Sequence, residues 1–194
     1  MNQIEIIAFF DRLAKTWDEH LVKDDEKIQR ILDTAGVKPG HVVLDVGCGT
    51  GVLFPDYLKR DVSRVIGVDI SPEMVRIAGA KLHDPRVEVL CGDIITLPVH
   101  LRCHEAVLYN CFPHFPDPAL LLDRLRLWLL PGGRITVAHS MGLEALARHH
   151  AGAARHVSRE MLPAEELAEL MEPWYQVDTA ISQPDYYLVS GRLR

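Results

Sequence analysis

The chain has 194 residues, 48% of them hydrophobic and 25% charged, with a formal net charge of −6. Such a composition describes a globular chain with one sizeable core and excludes extended disorder away from the termini. The acidic balance argues against nucleic acid as a partner: Lys and Arg are scattered, and their densest group, Arg124 and Arg126, sits beside Asp123 on one face of a predicted helix.

In chain order, Ile4, Ile6, Ile7, Phe10, Leu13, Ala14 and Trp17 recur at helical spacing with charged residues between them, which predicts an amphipathic N-terminal helix. Glu5 and Asp11 within this stretch exclude a signal peptide or membrane span there. A second helix is predicted from near Lys23 through Ile28, Ile31 and Leu32 to Gly36, with Pro39 blocking continuation. From His41 the pattern changes to short apolar runs at Val42–Val46, Val65–Asp69, Val87–Cys91, Ala106–Tyr109 and Arg134–Ala138, alternating with helical segments. This is the signature of a parallel sheet covered on both faces. Ser71-Pro72-Glu73 and Asp117-Pro118 mark helix starts, and Leu130-Pro131-Gly132-Gly133 turns the helix predicted over Leu120 to Leu129 into the next strand. Helices are expected from Leu143 to His150 and from Pro163 to Met171, and a closing β-hairpin over Tyr175 to Ser182 and Tyr186 to Leu193.

The expected architecture is therefore α/β: a doubly wound, mostly parallel seven-stranded sheet with an antiparallel C-terminal hairpin. It is read as a single domain, with a helical cap over 1–36, a cofactor-binding core over 41–139, a helical insert over 140–172 and the hairpin over 173–194. Cys48, Cys91, Cys103 and Cys111 lack the paired spacing of a zinc ribbon, and no secretory segment is read ahead of them, so reduced thiols and a cytoplasmic location are expected.

Val43 to Gly51 reads as a strand, a glycine turn and the start of a helix near Val52. Its spacing is G-x-G-x-G, not the G-x-G-x-x-G of dinucleotide binders. Asp45 just ahead of it would repel a pyrophosphate and suit an amino-acid ammonium group. Asp69 ends the next strand about twenty residues on, where a carboxylate accepts from ribose hydroxyls. A nucleoside with an amino-acid tail is S-adenosylmethionine. The competing nicotinamide-type oxidoreductase is disfavoured by the same two features.

With these motifs in place the chain resembles the class I S-adenosylmethionine-dependent methyltransferases, of the methyltransferase-11 type and similar to the ubiquinone/menaquinone-biosynthesis C-methyltransferases. The resemblance is carried by Phe9 to Trp17, Val43 to Gly51, Val65 to Asp69 with Ser71-Pro72-Glu73-Met74, Gly92-Asp93-Ile94, and Leu130 to Arg134. It implies that Gly47, Gly49 and Gly51 accommodate the methionine moiety and ribose with Asp45 near the ammonium group. It further implies that Asp69 takes the ribose hydroxyls, Ile70 lies on one adenine face, Asp93 accepts from the adenine amino group, Ile94 lies beside the ring, and Asn110 lines the methyl-transfer region. The N-terminal helix, with Phe10 and Trp17, is either a lid over the pocket or simply anchored on the core.

Residues just past the fourth and fifth strands should face the substrate. His114 and His139 stand there, and His149 and His150 end the following helix. The expected roles for His139 and His114 are catalytic base or substrate ligand; with His149 and His150 they are also candidates for a divalent metal site. The alternatives are a turn cap, a satisfied strand end and a solvated helix end. The expected function is in-line methyl transfer to a small-molecule acceptor, releasing S-adenosylhomocysteine, with no membrane span; a non-catalytic cofactor-binding module or partner subunit is the alternative. The oligomeric state is open, a homodimer contact through the insert or hairpin being one arrangement.

Overall fold

The structure is a computed structural model that describes residues 1–152 and 154–194, with the side chain of His150 outside the description. Seven strands form one sheet in the order β3-β2-β1-β4-β5-β7-β6. They are β1 (Val42–Val46), β2 (Arg64–Asp69), β3 (Val87–Cys91), β4 (Cys103–Tyr109), β5 (Leu129–His139), β6 (Tyr175–Gln183) and β7 (Tyr186–Leu193). The first five pair in parallel; β7 runs antiparallel between β5 and β6, so it alone reverses the sheet direction.

Seven α-helices accompany the sheet among the described residues: α1 (Gln3–Ala14), α2 (Asp25–Thr34), α3 (Phe54–Lys59), α4 (Pro72–Lys81), α5 (Pro118–Leu125), α6 (Leu143–His150) and α7 (Ala164–Met171). One face of the sheet is covered by α2, α3 and α4 through Ile28, Leu32, Phe54, Tyr57 and Ala78. The other is covered by α5, α6 and α7 through Leu121, Leu125, Leu146, Leu167 and Met171, around the fully buried Trp128. The near-continuous apolar strands follow from this double cover. Helix starts are fixed locally: Asp24, Ser71 and Asp117 each accept a backbone N–H from the first turn. Gly36, at φ +77°, ends α2 with the paired Gly36-to-Asp33 and Val37-to-Leu32 backbone bonds of a Schellman motif. No described helix is long and apolar enough to cross a membrane.

Several boundaries differ from expectation: α1 ends at Ala14, short of Trp17, and β4 begins at Cys103, ahead of Ala106. Helix α5 stops at Leu125, and β5 begins at Leu129, so Pro131-Gly132-Gly133 lies inside the strand's span instead of ahead of it. The reason is packing: Trp128 is sealed in the core, its carbonyl takes the Cys103 N–H at 2.7 Å, and pairing starts at Leu129 opposite Cys103 before a register shift restores it at Arg134. The helix after the glycine loop starts at Phe54, not Val52, and is only six residues long.

At the other end of the sheet edge Arg134, on β5, reaches beneath β7 to Asp178 on β6. Its guanidinium makes a bidentate contact with that carboxylate and donates to Ser190 Oγ on β7 at 3.0 Å. The Arg134 guanidinium holds the Asp178 carboxyl below the usual carboxylate range.

Candidate active site

Strands β1, β2 and β4 all end at one edge of the sheet, and the loops that leave them wall a cavity of about 380 Å³. It lies where the strand order turns from β1 to β4, the place where open α/β sheets receive ligands, and its size falls in the cofactor range.

The chain leaves β1 through Gly47-Cys48-Gly49-Thr50-Gly51, and all three glycines have positive φ, +66°, +55° and +77°. The N–H groups of Gly47 and Cys48 both donate to the Val68 carbonyl, at 2.8 and 3.1 Å, pinning the loop to β2. The three glycines do different things. A Cβ on Gly51 would come within 2.6 Å of the Phe54 ring, whereas one on Gly49 would meet nothing nearer than Trp17 Nε1 at 3.9 Å. Gly49 is thus the point where the backbone lies open to the cavity.

Asp69 joins two of these loops: one carboxylate oxygen accepts from Gly49 N at 2.8 Å, the other from Ser71 N at 2.9 Å. Burial raises its pKa, and the backbone donors oppose that rise. Asp45 is different. It is 2% exposed on β1, lines the cavity, and receives no hydrogen bond from any described residue. Burial, reinforced by the neighbouring Asp69 charge, pushes its carboxyl up to about 8. A buried carboxyl without a donor is costly unless something supplies one. Asp93, after β3, accepts Ile95 N at 2.9 Å and Gln3 Nε2 at 2.9 Å. Ile70, Ile94 and Asn110 also line the cavity. Asn110, itself at φ +55°, accepts the Ser140 N–H at 2.8 Å, bridging the ends of β4 and β5.

Helix α1 and the turn that follows it cover this pocket, and their polar residues meet each of the three acid-bearing loops. Gln3 donates to Asp93; Asp11 accepts from Ser71 Oγ at 2.5 Å and from Glu73 N at 3.1 Å; Asp18 accepts from Thr50 Oγ1 at 2.6 Å and pairs with Lys81 at 2.7 Å. Phe10 and Trp17 line the cavity, their rings 6.0 Å apart. Replacing Asp11 and Asp18 together by Ala removes several of these contacts, each worth ~1 kcal/mol. We expect at least a tenfold rise in amide exchange along α1 while strand amides keep their protection; unchanged exchange would show that the apolar contacts alone hold the helix.

Of the histidines expected at the substrate, His114 lines the cavity, and His139 and His149 are not among its lining residues. His114 lines the cavity; its Nδ1 lies 3.0 Å from the Val157 carbonyl and 3.2 Å from Ser158 Oγ, and its ring meets Phe10 edge-on at 4.9 Å. Because a carbonyl only accepts, Nδ1 carries the proton in the neutral ring and Nε2 the lone pair. Burial lowers the His114 pKa, and the nearby His149 adds to that direction. His139 is 1% exposed, sits beside Tyr187 with ring centroids 6.2 Å apart, and is not among the cavity-lining residues. Strand alternation explains this: Ile135, Val137 and His139 share the face that packs on the helical core. His149 is exposed on α6, and the His150 side chain lies outside the described residues. Among the described residues no group of three or more His, Cys, Asp or Glu side chains could hold a metal ion. Cys111 donates from Sγ to the Val46 carbonyl at 3.0 Å, and burial keeps its thiol protonated.

Sequence reasoning missed Gln3, Asp11, Asp18 and Tyr109. The first three act through contacts from 32 to 90 residues away in the chain, which no local pattern reveals. Tyr109 ends a predicted strand, and its position alone could have marked it.

An open parallel sheet with a glycine turn after β1 and carboxylates at the tips of β1, β2 and β3 defines a nucleoside-binding α/β protein. Comparison with known proteins carries this further. Residues 43–133 match the family model described as "Methyltransferase domain". The chain is 29% identical over 153 residues to a ubiquinone biosynthesis O-methyltransferase from Acinetobacter baylyi, covering 70% of this chain and 63% of that protein. Among solved structures, it is similar to the putative methyltransferase in complex with the Haloferax volcanii Trm112 methyltransferase activator (TM-score 0.79, 22% identity, 95% of this chain and 97% of that one). It is also similar to the N-methyltransferase NodS from Bradyrhizobium japonicum in complex with S-adenosyl-L-homocysteine (TM-score 0.77, 14% identity, 97% and 98%). At these identities the structural likeness speaks for the fold. Residues 43–133 thus carry a methyltransferase domain, and the fold around them is that of S-adenosylmethionine-dependent methyltransferases. Its matched segments span 38% to 63% of the length of the first curated relatives.

Proposed function

We propose that this chain binds S-adenosylmethionine in the cavity at the sheet edge and transfers its methyl group to a small-molecule acceptor held under α1. The observation that carries the reading is Asp45: a buried carboxyl opening onto the cavity, with no donor among the described residues and a glycine backbone beside it. An ammonium group supplies the missing donors. When bound, the cofactor brings a methyl group on a sulfonium, which leaves as a neutral thioether.

The chain's own residues take the following parts. Asp45 accepts from the ammonium group, and Gly47, Gly49 and Gly51 keep the loop backbone within reach of the methionine moiety. Asp69 still has lone pairs for ribose hydroxyls after its two backbone bonds, since a carboxylate offers about four acceptor sites. Ile70 and Ile94 flank the adenine, and Asp93 takes its amino group in place of the Gln3 amide. Asn110, fixed by Ser140, lines the methyl-transfer end. His114 is the base: desolvated and neutral near pH 7, with its lone pair on Nε2, it accepts a proton from a nucleophile that must lose one. No such part is proposed for His139, which is not among the cavity-lining residues, and none for a metal.

Calorimetry with S-adenosylhomocysteine, followed by its release from labelled S-adenosylmethionine over a panel of small acceptors, tests the reading. Binding with turnover supports it. Binding without turnover across the panel would favour a non-catalytic module instead. His114→Gln should lower kcat by about 10²-fold, the lower end of general-base contributions, with cofactor affinity within twofold. Because burial lowers the His114 pKa, the acid limb of the kcat profile should lie below the ordinary histidine range and vanish in that variant. An unchanged kcat removes His114 from the mechanism.

A further inference from the structure

The charged side chains that line the cavity are one-sided. Among the described residues its acids are Asp45, Asp69, Asp93 and Asp117, with His114, Tyr109 and the thiols of Cys48 and Cys111 beside them and no Lys or Arg; Met1, which bears the chain's amino group, also lines it. The remaining wall is apolar, and part of it is a continuous aromatic strip: Trp17 meets Phe10 at 6.0 Å and 67°, and Phe10 meets His114 at 4.9 Å and 80°. Tyr109 and Phe115 also line the cavity, and Leu120, 48% exposed on α5, lines it too.

From this inventory, and resting on the cofactor reading above, we propose that the acceptor is an amine carried on an apolar body, and that the cavity rejects carboxylate- and phosphate-bearing acceptors. An anion entering here would leave water for a site walled by carboxylates, with no cationic side chain among the described residues. The cofactor does not reverse this, because it brings a single net positive charge to a pocket with four acids. An amine has the opposite balance. Its nitrogen lies in the field of the acids, ring faces of the strip attract a cation, and the apolar body replaces water against Phe10, Trp17 and Phe115.

The test uses protein saturated with S-adenosylhomocysteine and three probes of one skeleton: 2-phenylethylamine, 2-phenylethanol and 3-phenylpropanoate, titrated calorimetrically near pH 7.5. The amine should bind at least tenfold more tightly than the carboxylate, with the alcohol between them. Leu120→Lys, which places a cation at an exposed position on the cavity wall, should reduce the amine-to-carboxylate ratio by fivefold or more. A carboxylate binding as well as the amine, or no binding of any probe by protein that holds S-adenosylhomocysteine, overturns the proposal. Failure to bind S-adenosylhomocysteine at all would instead strike the cofactor reading on which it rests.

Discussion

Asp45→Asn is expected to weaken S-adenosylhomocysteine binding by about 10- to 100-fold while making the ligand-free protein more stable near pH 8. The two effects share one cause. In the empty pocket burial and Asp69 push the Asp45 carboxyl up to about 8, against ~3.9 in an unfolded chain. Between those values the folded state holds a proton that the unfolded chain has released. The contribution of Asp45 to stability is therefore fully present below pH ~4 and is lost as pH rises toward 8. Asn is isosteric with the protonated acid and does not titrate, so the melting temperature of the variant should pull ahead of the parent's as pH rises from 5 to 8.5. Binding runs the other way: an ammonium ligand needs the ionised carboxylate, and a charge-assisted hydrogen bond contributes ~1.5–3 kcal/mol. Affinity in the parent should rise by up to tenfold per pH unit between about 6 and 8, with close to one proton released per ligand in buffers of different ionisation heat. A pH-independent affinity, or a variant that binds as well as the parent, would remove Asp45 from the ammonium site.

The second large effect concerns Phe54, whose ring fills space left by two glycines. A Cβ at Gly51 would lie 2.6 Å from the ring and one at Gly67 2.5 Å from its Cζ. Only Gly51 has positive φ, at +77°. Gly51→Ala should therefore cost ~1–2 kcal/mol for left-handed backbone and ~1–3 kcal/mol for overpacking. For a chain of this length that total lowers the melting temperature by roughly 5–15 °C. Gly67→Ala, on β2, should show the steric part alone. Adding Phe54→Leu separates the two: it should rescue most of the Gly67→Ala loss in a double-mutant cycle but only part of the Gly51→Ala loss. Equal rescue at both positions would mean that backbone strain at Gly51 contributes nothing, and no rescue at either would mean that the ring is not the obstacle.

Much of the architecture was legible because its signals are local. Apolar strands between capped helices, Ser71-Pro72 and Asp117-Pro118, and Gly36 after α2 all announce themselves within a few residues, and they placed the sheet and the hairpin. The acids were legible for the same reason: each stands at or near the end of a strand, and strand ends on one edge of a parallel sheet converge. What stayed hidden depends on contacts remote in sequence. The start of β5 was hidden because the burial of Trp128, not the Pro-Gly-Gly turn, decides where pairing begins. The bonds from Gln3, Asp11 and Asp18 join the N-terminal segment to three separate loops. His139 was placed at the substrate by its position past β5, but alternation along Ile135, Val137 and His139 turns it into the core. That alternation was readable in the sequence.

The Arg134 contact joins strands that are not neighbours, since β7 lies between β5 and β6. An outermost strand ordinarily frays by itself. Here β6 is stapled through its neighbour to the strand beyond, and freeing it would strand a guanidinium that is largely out of water. Peeling thus becomes an event of the whole C-terminal hairpin, so the amides of β6 and β7 should surrender their protection together and not one strand at a time.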